Sequence, residues 1–125
     1  MIRIVFDPEF RRIRRRVAIS FTAFLIAIVG FMALSPAEVA PLVAYSDKTL
    51  HLIAFVGLAL PCAVLYPRSL VWIVPIILLF GAAIEFVQPH VGRHRELSDF
   101  YADAIGTLGG VIVGLTCRKL LRLAI

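Results

Sequence analysis

An all-α protein, a four-helix transmembrane bundle with both termini cytoplasmic, is the fold class that this sequence predicts. Three observations lead there. Of the 125 residues, 61% are hydrophobic and 17% are charged, and the mean hydropathy is +0.95; a water-soluble domain is about half apolar and about a quarter charged. Four apolar segments have the length to cross a bilayer. Lysine and arginine crowd one side of those segments. The composition excludes a disordered chain, a nucleic-acid-binding tail and an ordinary soluble enzyme. The net charge of +5 therefore bears on membrane orientation, and no nucleic-acid partner is expected.

Residues 1–16 form a basic cytoplasmic segment that carries Arg3, Arg11, Arg12, Arg14, Arg15 and Arg16, a solvated anchor beside anionic headgroups. The membrane domain covers 17–117, and a basic cytoplasmic tail covers 118–125. The first span occupies residues 17–34. Positions 17–37 hold 21 uncharged residues, enough for a hydrocarbon core of roughly 30 Å. This run is longer than the apolar part of a signal peptide, and no A-x-A cleavage site follows it. The second span begins at Asp47 or Lys48 and ends at Tyr66–Pro67. The third starts after Arg68 and reaches about Gln88. The fourth runs from near Ser98 to Cys117, with Ser98 or Asp99 as its N-cap. Pro61 and Pro75 fall inside spans two and three, where neighbouring helices can satisfy the freed carbonyls.

Charge sets the orientation. Residues 1–16, Arg68, and the tail with Arg118, Lys119 and Arg122 place ten basic residues on one side. Lys48, Arg93 and Arg95 make three on the other. The positive-inside rule puts the loops at 35–46 and 89–97 outside, in a multi-pass protein of the cytoplasmic (inner) membrane.

The polar residues are grouped. Positions 69–84 give 16 uncharged residues and positions 104–117 give 14, short of the roughly 20 that a span needs. Glu85 and Asp103 must then lie inside the membrane, about one turn below the outer surface. Such carboxylates are costly and face a bundle interior. Asp47 and His51 share a helix face at i, i+4, as do Asp99 and Asp103; Glu85 and Gln88 do so at i, i+3. Gly106, Gly110 and Gly114 continue the Asp99–Asp103 stripe as two G-x-x-x-G steps, which let another helix approach closely. The fourth span is expected to be central. The candidate functional cluster is thus Asp47, Lys48, His51, Glu85, Gln88, Arg93, Asp99 and Asp103, facing outward.

These residues resemble the VanZ-like family of small membrane proteins. The chain reads Asp47-Lys48-Thr49-Leu50-His51 with Phe55, then Glu85-Phe86-Val87-Gln88, then Arg93, then Asp99-Phe100-Tyr101-Ala102-Asp103-Ala104-Ile105-Gly106. The likeness covers roughly residues 45–115. Asp103 departs from it, standing where the family usually carries asparagine. The resemblance implies a four-helix protein of the cell envelope, and its naming member is linked to glycopeptide resistance.

Three functions fit the cluster. It binds a polar envelope ligand, a lipid headgroup or precursor, with Arg93 and Lys48 meeting phosphate and the carboxylates meeting amines or hydroxyls. Alternatively it is an enzyme on a lipid-linked or phosphorylated substrate, with His51 oriented by Asp47 as general base and Glu85 as general acid. Or it is a structural ion-pair cluster that pins helix tops together. A proton-coupled carrier fits less well, since no acid sits mid-span. Cys62 and Cys117 form no C-x-x-C or Cys/His pattern, and no short motif such as H-E-x-x-H occurs. His51, Asp47, Glu85, Asp99 and Asp103 could together hold a divalent metal, but without a supporting motif neither a metal nor another cofactor is the expectation on sequence grounds. The bilayer is the expected partner, and small-residue faces leave a homo-oligomer open.

Overall fold

A computed structural model describes residues 8–35, 47–92 and 97–121. It contains four long helices: α1 (Arg11–Ala33), α2 (Asp47–Leu65), α3 (Leu70–Val87) and α4 (Leu97–Leu120). Short 3-10 turns precede α1 at Pro8–Phe10, join α2 to α3 at Pro67–Ser69 and follow α3 at Gln88–Val91. No strand occurs among the described residues. All four helices are long and apolar enough to cross a membrane.

The boundaries of α2 and α3 agree with the sequence, whereas α1 and α4 run into the basic segments, α4 through Arg118 and Lys119 to Leu120. α1 begins at Arg11, so the helix runs through the basic segment before it reaches the apolar run. α4 begins at Leu97, which places Ser98 and Asp99 in its first turn, one and two residues beyond the helix start. There Asp99 lies close to the positive end of the helix dipole.

Lipid does not drive helices together as water does, so close backbone approach must supply the cohesion. The α2–α4 seam shows how. A methyl group at Gly106 would stand 2.5 Å from the Leu52 carbonyl oxygen, and one at Gly110 would stand 2.5 Å from that of Val56. At Gly114 it would collide with the Ala63 methyl. The glycine stripe is packed against a neighbour as expected. The central helix, however, is α2 rather than α4: α2 packs along α4 and also against α1 and α3. The reason is angular. Buried residues of α4 form one narrow stripe, Asp99, Asp103, Gly106, Thr107, Gly110, Gly114 and Arg118. In α2, Leu58, Ala59, Pro61, Cys62 and Ala63 are buried, an arc of about 200° against about 120° for the α4 stripe, and it needs neighbours on several sides.

Phe55, Leu58, Ala59, Ile77 and Ile84 form the apolar core. Phe31, Val71, Trp72, Leu79 and Ile105 point outward, Phe31 being 78% exposed. In water, so much exposed apolar surface would aggregate; against acyl chains it is the matching exterior. Thr22 of α1 donates to the Leu58 carbonyl oxygen at 3.4 Å, a polar link of the kind that joins membrane helices.

Candidate functional site

Three helices bring ionisable groups to one end of the bundle, where α2 and α4 begin and α3 ends. His51 projects from the first turns of α2. Its Nδ1 lies 2.6 Å from Asp103 Oδ1 on α4, and its Nε2 lies 3.9 Å from Glu85 Oε1 on α3. A carboxylate only accepts, so with Asp103 ionised the imidazole Nδ1–H donates. One donor atom from each of the three residues fits within a mutual distance of 4.8 Å.

The sequence explains why these groups meet. His51 stacks on Phe55, one turn deeper, with ring centroids 6.3 Å apart and planes at 10°. Phe55 continues the stack to Phe80 of α3. This aromatic floor is the top of the apolar core, and the polar cluster rests directly on it. Gly81 of α3 removes the last obstacle: a methyl there would stand 2.7 Å from Asp103 Oδ2 and 3.1 Å from the Phe55 ring. The small residue is what lets the Asp103 carboxylate reach between α2 and α3. Asp103 is 0% exposed, and His51, Glu85 and Asp99 are buried too. Asp99 lies one turn nearer the start of α4, close enough for its charge to act on His51. Asp103 Oδ2 has no hydrogen-bond partner among the described residues.

The remaining expected members behave differently. Gln88 is buried, but its Nε2 donates to the Ala33 carbonyl oxygen at 3.2 Å. It ties the end of α3 to the last residue of α1 instead of joining His51. Lys48 is exposed. Arg93 and the side chain of Asp47 lie outside the described residues. The structure thus assembles His51, Glu85 and Asp103, with Asp99 beside them, and sends Gln88 elsewhere.

Sequence reasoning missed two residues at the opposite end. Arg14, expected in a solvated anchor, and Arg118, expected in the basic cytoplasmic tail, are 3% and 5% exposed. Arg118 lies within α4, and its Nη1 donates to the Val64 carbonyl oxygen at 2.5 Å. Val64 is in the last turn of α2, whose carbonyls have no intrahelical partner. Arg14 approaches Arg118 closely enough for their like charges to interact. The signal was present: Arg14, Ala18 and Thr22 recur every four residues and are the buried residues of α1.

Fold and site together define a class, an all-α protein of four membrane-length helices with a buried histidine–carboxylate cluster at one end. No protein-family model matches the chain, and no curated protein or solved structure is significantly similar to it. The likeness to VanZ-like proteins therefore rests on the residues themselves.

Proposed function

We propose that this chain is a small multi-pass protein of the cytoplasmic membrane, in the VanZ-like mould, whose outward-facing cluster binds a polar envelope ligand. A lipid headgroup or an envelope precursor is the ligand class. The observation that carries this reading is the convergence of His51, Glu85 and Asp103 from three separate helices. A bundle in need only of adhesion already has it in the α2–α4 glycine seam, whereas burying ionisable groups in a membrane is costly and marks function. The distribution of lysine and arginine favours this end as the external one. The carboxylates suit an ammonium or hydroxyl group, and Lys48 at the rim suits phosphate. The resemblance makes glycopeptide susceptibility the cellular phenotype to examine.

Native mass spectrometry of detergent-purified protein tests the reading. Wild type should retain one envelope lipid or precursor per chain, and Glu85→Gln, which keeps the side chain's size, should lose it. Equal retention by both would refute the proposal. A second reading, helix pinning without a ligand, is favoured by the burial of His51, Glu85, Asp99 and Asp103. It predicts that Glu85→Gln lowers stability and changes no ligand.

A further inference from the structure

We infer that His51, Glu85 and Asp103 form a binding site for a divalent transition-metal ion of the zinc or manganese kind. The inference does not rest on the headgroup reading, because metal uptake needs no lipid ligand. It begins with the donor set. One imidazole nitrogen and two carboxylate oxygens suit borderline divalent ions, which accept mixed nitrogen and oxygen donors.

Distance comes next. Two donors about 2.1 Å from a tetrahedral ion stand roughly 3.4 Å apart. His51 Nε2 and Glu85 Oε1 are 3.9 Å apart, too far for a hydrogen bond and within about 0.5 Å of that ligand spacing. All three donors fit within 4.8 Å, so small side-chain rotations close the set around one ion. At 2.6 Å, the His51 Nδ1–H donates to Asp103 Oδ1, which fixes the tautomer that leaves the Nε2 lone pair for an ion.

An independent observation points the same way. Asp103 is fully buried, yet its Oδ2 finds no hydrogen-bond partner among the described residues. A buried acceptor left unsatisfied is costly, and a coordinated cation would satisfy it. The support is rigid. Phe55 stacks against the imidazole, and the missing Cβ of Gly81 leaves room for the Asp103 carboxylate. Protein donors from three helices leave further coordination positions for water or a ligand oxygen, the arrangement of a reactive rather than a purely structural ion. The sequence places these residues in one cluster, but the three donors lie 34 and 18 residues apart and match no short ligand motif.

Purified protein stripped with chelator and titrated with Zn²⁺ or Co²⁺ alone tests the site, by calorimetry and by the visible absorption of bound Co²⁺. Wild type should bind one ion per chain. His51→Ala, Glu85→Gln and Asp103→Asn should each weaken binding by more than about tenfold, while His90→Ala, in the exposed turn after α3, leaves it unchanged. Circular dichroism and gel filtration confirm folding, and Glu85→Gln carries the test should His51→Ala fail to fold. Substoichiometric uptake by wild type would overturn the inference. So would undiminished uptake by folded Glu85→Gln, or uptake lost only in His90→Ala. Lipid retention without metal uptake would overturn this site and leave the headgroup reading standing; the reverse result would separate them equally.

Discussion

The two ends of the bundle bury opposite charges and hold them in different ways. At one, His51 lies among Glu85, Asp99 and Asp103, and the described contacts run from side chain to side chain across three helices. At the other, Arg118 gives its hydrogen bond to a backbone carbonyl, that of Val64, with Arg14 close by. A carbonyl in the last turn of a helix accepts from many donors, including water and headgroups. A buried carboxylate set against an imidazole has no such substitute. The arginine end is therefore built to tolerate change, and the cluster end is not.

The largest effect should come from the seam that couples both ends. Gly110→Leu forces a side chain into the Val56 carbonyl, where even a methyl would stand at 2.5 Å. Overpacking typically costs about 1–3 kcal/mol when side chains can yield, and here the obstacle is backbone. We expect loss of the folded bundle, read as aggregation on gel filtration in detergent. A folded Gly110→Leu protein with normal thermal stability would show that α2 and α4 can part without harm.

Much of this architecture is legible in the sequence, and the reasons differ by residue. The four spans follow from apolar length, and the glycine seam follows from spacing along one helix. The depth of Glu85 and Asp103 follows from spans too short without them, and His51 joins them because it opens its span at the same end. The burial of Arg14 and Arg118 is not legible from charge counting, which treats every terminal arginine as solvated. For Arg14 the four-residue repeat with Ala18 and Thr22 outweighs that rule. The partner of Gln88 is not legible either. Its spacing from Glu85 fixes a shared helix side, but the end of α1 lies beside it only through tertiary packing. Asp103 departs from the expected asparagine, and its contact with His51 gives that carboxyl a partner an amide would serve less strongly.

At the cluster end, Asp103→Leu should cost about 3–5 kcal/mol, because it removes one partner of a buried pair and leaves the other uncompensated. Asp103→Asn keeps an acceptor for the imidazole and should cost about 1 kcal/mol. Thermal unfolding in one detergent compares the two. Equal losses would mean that shape rather than pairing holds this end together. The matching change at the other end is Arg118→Met. It loses one hydrogen bond to Val64 but also relieves repulsion from Arg14, and the apolar stem is retained. The expected net change is within about 1 kcal/mol. A loss as large as that of Asp103→Leu would erase the distinction between the ends.

The smallest effect should come from Gly57→Ala, in α2 between the two ends. A methyl there meets nothing within 4 Å, in contrast to the glycines of α4. Alanine favours a helix over glycine by about 1 kcal/mol, so the variant should unfold at the same temperature as wild type or slightly higher. The position also probes assembly, since Gly57 offers a close-approach surface that no helix among the described residues fills. If Gly57→Ala instead destabilises the protein, and more so at high protein concentration, a second copy presses against α2 there. The middle of the bundle would then be an interface, and the contrast between its ends would have to be argued for a dimer.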